Sequence, residues 1–225
     1  MEIFFFKREE NNDYSFIAYK KDVLGSEDLK KTKMWLDNIS DLRSGKTSFN
    51  TDIPRLQKWY QNDGIYFSKD WRDQNNPRWI ANKYDEFLHY LQQIIQEKLD
   101  NMKLDFDGYN HPKLNSCLVN KYRNGNDTIK EHKDNQSNFL ENPTVLSLSL
   151  GEARTIIFRR TIYSKEYPNS IKKDKEKSDY NFKIELESGS LLIMAGAVQK
   201  YFSHQISKED DKLLRYSCTF RQIFE

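Results

Sequence analysis

The spacing of apolar positions changes near the middle of the chain. After Pro77, Ile80, Tyr84, Phe87, Leu88, Leu91, Ile94, Ile95 and Leu99 recur at the three- and four-residue steps of one helix face. Proline is tolerated in a first helical turn, so this pattern predicts a helix that opens at Pro77 and runs to about Leu99 with one face on a core. Beyond it the period shortens. Ser116–Tyr122, Thr144–Leu150, Thr155–Arg159, Ser190–Ala195 and Tyr216–Ile223 are short β-rich runs separated by Gly, Asn and Pro. Upstream the signal is weaker. Helical spacing is faint from Asp28 to Ile39 within a charged stretch, and 46–76 is turn-rich with Trp59, Tyr60, Tyr66, Phe67 and Trp71 among polar residues. Helices first and strands later predict an α+β fold with a jelly-roll core. The expected organisation is an N-terminal extension over 1–45, an aromatic arm over 46–76, and a helix plus β core over 77–225.

Composition narrows this only at the edges. The chain has 225 residues, 14% of them aromatic, enough large apolar side chains to close a core despite its hydrophilicity. A net charge of +2 requires any nucleic-acid contact to come from a local patch. Two cysteines, Cys117 and Cys218, are too few for a disulfide scaffold and are expected as buried thiols. The opening run Ile3-Phe4-Phe5-Phe6 is too short for a signal peptide, and no stretch reaches the ~20 apolar residues of a membrane span. A soluble intracellular monomer in cytoplasm or nucleus is the expectation. Residues 164–180 are dense in Lys, Asp, Glu and Ser and read as an exposed loop or hairpin tip, with a phosphate-gripping loop as the alternative.

The chemistry begins with the histidines. His89 on the long helix and His111 before Pro112 read as structural and surface residues. His132 lies two residues before Asp134, and in an extended segment that spacing puts both side chains on one face. His204, after an apolar strand, can add a second imidazole. Two histidines and one carboxylate form the facial triad of non-haem iron(II) oxygenases, which leaves positions open for a bidentate co-substrate and dioxygen. His-x-Asp alone is a weak signal, because an acid two residues from a histidine is common in so charged a chain.

The last strand strengthens it. Arg215, Ser217, Thr219 and Arg221 alternate with Tyr216, Cys218 and Phe220. Two arginines on one face of a core strand need anionic partners, and a dicarboxylate would supply them through planar bidentate bonds. A straight strand puts Arg215 and Arg221 about 20 Å apart, so the strand must curve or the side chains lean inward to bracket a small diacid. An edge strand with a polar outer face is the other reading.

Together these segments resemble the AlkB family of iron(II)- and 2-oxoglutarate-dependent oxygenases. Asn120-Lys121-Tyr122, the Gly125 and Asp127 turn and His132-Lys133-Asp134 are similar to its Asn-x-Tyr and His-x-Asp core. Gly189 to Met194 resembles the strand leading to the distal histidine, here His204. Arg215 to Arg221 is similar to the closing Arg-x-Asn-x-Thr-Phe-Arg. Upstream, Pro54-Arg55 and Ile65-Tyr66-Phe67-Ser68 resemble the nucleotide-recognition lid of the eukaryotic homologues. The likeness covers roughly residues 50 to 224. It implies a double-stranded β-helix with a lid over 46–76, and iron(II), 2-oxoglutarate and dioxygen as cofactor and co-substrates. It implies iron on His132, Asp134 and His204. The distal carboxylate of 2-oxoglutarate would sit on Arg215 and Tyr122, Asn120 and Arg221 near its metal-bound end, and Thr219 against it. Ser217 stands where the family carries Asn, a shorter donor that bears on co-substrate affinity. Phe67 would stack on a flipped base and Ser68 border its pocket beside Tyr66, with Arg55 on the substrate side and Arg55 and Arg72 as candidate phosphate contacts. Gln136 replaces an acid that in DNA-repair members contacts the exocyclic amine.

The implied activity is oxidative dealkylation of alkylated bases in DNA or RNA, with release of formaldehyde. Aromatic residues interleaved with Arg and Lys suit base stacking and phosphate contact. Two other readings stay open: the same oxidation of a protein, lipid or small molecule, and a catalytically silent nucleic-acid-binding module.

Overall fold

The computed structural model describes residues 1–46, 51–61, 80–134 and 141–224. Eleven strands among them form two antiparallel sheets. The larger runs β1-β2-β9-β6-β11-β4-β3, and the smaller β5-β10-β7-β8. The strands are β1 (Glu2–Arg8), β2 (Tyr14–Lys20), β3 (Leu56–Gln61), β4 (Ser116–Tyr122), β5 (Ile129–His132), β6 (Val145–Gly151), β7 (Arg154–Arg160), β8 (Phe182–Leu186), β9 (Ser190–Gly196), β10 (Phe202–Ile206) and β11 (Arg215–Arg221). The α-helices among the described residues are α1 (Ser26–Asp37), α2 (Glu86–Asp100) and the single turn α3 (Val198–Tyr201).

The layers follow from alternation. On β11, Tyr216, Cys218 and Phe220 join Leu88, Leu91, Ile95 and Leu99 of α2 in one apolar cluster. Ile17, Tyr122, Val145, Leu192 and Met194 on the other face of the larger sheet meet Ile156, Phe158, Ile184, Leu186 and Phe202 of the smaller one. Helices, large sheet and small sheet therefore stack in that order, the two sheets facing each other as in a jelly roll.

Three sequence expectations shift. The long helix starts at Glu86, not Pro77: Asp85 is extended and its side chain accepts from the Leu88 amide, an N-cap that fixes the first turn. Ile80 lies outside the helix and is exposed, and Pro77 lies outside the described residues. The first 45 residues are woven into the fold. β2 pairs with β9 along Ser15–Lys20, and β1 pairs with β2. Because β2 is buried on both faces it shows no polar alternation, which hid it in the sequence. Of the expected lid, the described part carries β3, an edge strand paired with β4. Cys117 and Cys218 are buried free thiols, and 164–177 is mostly exposed. Among the described residues no helix is long and apolar enough to cross a membrane.

Two local devices aim β5 and β10. Gly125 packs so tightly on the chain at Glu209 that a Cβ there would overlap the Glu209 carbonyl, and Gly125 and Lys212 also share a backbone hydrogen bond. Arg154, fully buried, donates to the carbonyls of Asn124, Gly125, Asp127 and Ser207. One guanidinium thus ties the turn before β5 to the residue after β10, and those neighbouring strands carry the two histidines of the site.

Candidate active site

A cavity of about 330 Å³ opens between the sheets. Its lining includes Arg55, Asn120, Tyr122, His132, Asp134, His204, Arg215, Ser217, Thr219 and Arg221, every described residue singled out from the sequence. Tyr66, Phe67, Ser68, Arg72 and Gln136 lie outside the described residues.

At one end the metal-ligating groups converge. His132 and His204 are paired across β5 and β10, with ring centroids 4.3 Å apart. His132 Nε2 is 3.6 Å from Asp134 Oδ1, and His204 Nε2 is 3.7 Å from Asp134 Oδ2. One ligand atom from each of the three lies within 4.8 Å of the others. The protonation states suit a cation. Burial works against ionising Asp134, but the Arg221 guanidinium, a hydrogen bond from His132 and both imidazoles hold its carboxyl far below the usual range. Arg221 Nη2 donates to Asp134 Oδ1 at 3.2 Å. Burial, with His132 and Arg221 adding to it, lowers His204 to about 3, so its imidazole is neutral and offers a lone pair. His132 donates from Nδ1 to the Lys130 carbonyl at 2.9 Å, which leaves Nε2 available to ligate a metal.

Asp134 lies just past the end of β5, and its position depends on α3. The Asp134 amide donates to Gln199 Oε1 at 2.7 Å, and Lys133 Nζ donates to the Lys200 carbonyl at 2.7 Å. These bonds fasten the Asp134 carboxylate to the turn that leads directly into β10 and His204.

At the other end Arg215 is buried at 1% exposure. Its Nη2 donates to Ser149 at 2.8 Å and its guanidinium rests 5.0 Å from the centre of the Tyr122 ring. Among the described residues Nε and Nη1 have no hydrogen-bond partner, and no carboxylate forms an ion pair with the guanidinium. A buried guanidinium with free donors calls for an anion. Between the two ends, Asn120 Oδ1 accepts from Arg55 Nε at 3.0 Å and Gln57 Nε2 at 2.8 Å, while its Nδ2 donates to Ser217 at 3.4 Å.

Arg55 lines the same cavity from just before β3. It is 8% exposed, bonded to Asn120 and, through Nη1, to the Thr128 carbonyl at 3.0 Å. It faces inward, with Nε and Nη1 engaged by protein acceptors. Sequence reading missed Ser149, Gln57, Gln199 and Arg154. Ser149 had a signal: Ser147 and Ser149 alternate with leucines on β6, so they face away from the helical core. The other three gave none, because a buried Gln or Arg reads like an exposed one.

The 2OG-Fe(II) oxygenase superfamily model matches residues 33–221. The Homo sapiens alpha-ketoglutarate-dependent dioxygenase alkB homolog 3 is 30% identical over 188 residues, which cover 80% of this chain and 56% of that protein. The Homo sapiens DNA oxidative demethylase ALKBH2 is 26% identical over 172 residues, covering 76% of this chain and 57% of that protein. The chain thus spans about half the length of the curated relatives it matches. The solved structure of OsALKBH1 shares the fold, with a TM-score of 0.61 at 14% identity over 92% of this chain and 97% of that one. Iron(II), 2-oxoglutarate and dioxygen are the cofactors this family implies, and the two imidazoles, the ionised carboxylate and the half-unpartnered Arg215 suit them. On this match over most of its length, the chain belongs to the 2OG-Fe(II) oxygenase superfamily as an AlkB-like member.

Proposed function

We propose that the protein removes alkyl groups from nucleic-acid bases by oxidation. The observation that carries the oxygenase chemistry is a single cavity with a His-Asp-His cluster at one end and a buried, half-unpartnered arginine at the other. The base as substrate rests on the likeness to a DNA oxidative demethylase.

In this reading His132, Asp134 and His204 hold iron(II), which when bound supplies oxidising power from dioxygen and 2-oxoglutarate. Overall, an N-methyl base, 2-oxoglutarate and dioxygen become the N–H base, formaldehyde, succinate and carbon dioxide. Arg215 takes the distal carboxylate, with Tyr122 beneath the guanidinium. Asn120 turns its amide nitrogen toward Ser217, so this row offers donors where a carboxylate needs them. Thr219 and Arg221 line the path to the metal, and Arg221 also keeps Asp134 ionised. The apolar residues Leu118, Ile156, Leu186 and Leu192 limit water in the cavity. Tyr66, Phe67, Ser68 and Gln136 are assigned to the base by their motif match alone. A base taken from a duplex must be flipped out at a cost of a few kcal/mol, least for damaged or unpaired bases.

The test is iron-dependent succinate formation with a methylated oligonucleotide, its unmethylated counterpart, and none. Stimulation by the methylated strand, with formaldehyde in equal amount, is expected. Equal succinate in all three would remove the nucleic-acid substrate and leave the oxygenase.

A further inference from the structure

The larger sheet carries one row of polar side chains, three of which, Gln57, Asn120 and Ser217, line the cavity. Gln57 stands opposite Asn120, Asn120 opposite Ser217, and Ser217 opposite Ser149. The two ends of this row differ. Ser149 holds Arg215, the anchor for a dicarboxylate. Gln57 sits at the far end, on the edge strand β3, beside Pro54 and Arg55.

The hydrogen bonds fix which way each amide faces. Arginine can only donate, so the Asn120 atom meeting Arg55 Nε must be its oxygen. Gln57 bonds to that same oxygen and must therefore present its nitrogen. This network removes the usual ambiguity of amide orientation. The Gln57 oxygen is the atom left over. It is buried, on a residue only 3% exposed, and has no hydrogen-bond partner among the described residues. Leaving a buried carbonyl unsatisfied is costly, and native proteins rarely tolerate it without a use.

We propose that Gln57 determines substrate specificity by accepting a hydrogen bond from an N–H of the substrate base. The proposal rests on the nucleic-acid reading above. A carbonyl oxygen is the wrong group for 2-oxoglutarate, which is all acceptor, and that molecule belongs at the Arg215 end. It is the right group for an exocyclic amine. Adenine and cytosine carry such a donor, whereas thymine presents a carbonyl there, and acceptor facing acceptor repels. Gln57 therefore selects alkylated bases bearing an amine over oxo bases.

The experiment compares wild type, Gln57→Leu and Gln57→Met on single-stranded oligonucleotides carrying one 1-methyladenine or one 3-methylthymine. Succinate formation gives kcat/KM, and melting temperature is read alongside. The expected result is a fall of roughly tenfold on 1-methyladenine, with 3-methylthymine unchanged or improved, so that the ratio narrows. An equal fall on both strands would overturn the assignment, because a residue that only steadies Asn120 moves both together. Methionine keeps the length without the acceptor, so it gives the same comparison if leucine unfolds the strand. No succinate stimulation by either strand in the wild type would overturn the nucleic-acid reading and this proposal with it. A changed ratio cannot arise from stability alone.

Discussion

Arg160 and Arg215 are both buried arginines, and they differ in what answers their charge. Arg160 meets both oxygens of the buried Glu9, at 2.7 and 2.5 Å, closing β7 onto the N-terminal strands. Arg215 meets one serine and the face of one tyrosine. A buried ion pair complete within the chain serves the fold. A buried cation left half-answered is open to a ligand. The contrast lets architecture be told from function without knowing the ligand.

The comparison can be broken at several points. The largest effect belongs to the metal end: Asp134→Ala or His204→Ala should lower succinate formation by at least a hundredfold, because losing even an outer-shell partner of a metal site costs ten- to a hundredfold. Retained activity in both would displace the centre from this cavity. Next is stability. Arg160→Met should cost about 3–5 kcal/mol in denaturant unfolding, since it strands the Glu9 carboxylate. Arg215→Met, which strands no protein charge, should leave ligand-free stability unchanged or raised. If the two substitutions cost the same, the distinction between the arginines fails. Arg215→Lys sharpens it: without the planar fork the KM for 2-oxoglutarate should rise about tenfold while oligonucleotide affinity holds. The smallest expected effect is at Phe67→Ala. Losing one stacking partner, at about 1–3 kcal/mol, should reduce demethylation roughly tenfold and spare 2-oxoglutarate turnover without oligonucleotide. A matched loss in both rates, with a lower melting temperature, would make Phe67 a packing residue.

What was legible in the sequence had period behind it. Ser116–Tyr122 was read to the residue, and β11 declared its two faces because charged and apolar side chains strictly alternate. The closeness of His132 and Asp134 could be read because they share one short extended segment, though only the structure brings His204 to them across β10. The helix start was misjudged because Ile80 and Tyr84 continue the apolar spacing upstream, and spacing alone does not register the Asp85 cap. β2 stayed hidden because both its faces are covered. Gln57 and Gln199 escaped for a deeper reason. Their importance lies in which neighbour takes which end of an amide, a property of the folded network with no trace in composition or period.

The Arg154 clamp also sets where this chain will accept foreign sequence. Its donors gather carbonyls at 124–127 and 207 into one knot, and Gly125 leaves no room beside Glu209. Lengthening either loop, even by a residue at its exposed rim, would splay β5 from β10 and separate His132 from His204. The excursion at 164–177, by contrast, joins β7 to β8 and is mostly open to solvent. A fluorescent label or affinity peptide belongs there: the protein can carry cargo on that arm while the distance between its two histidines stays as built.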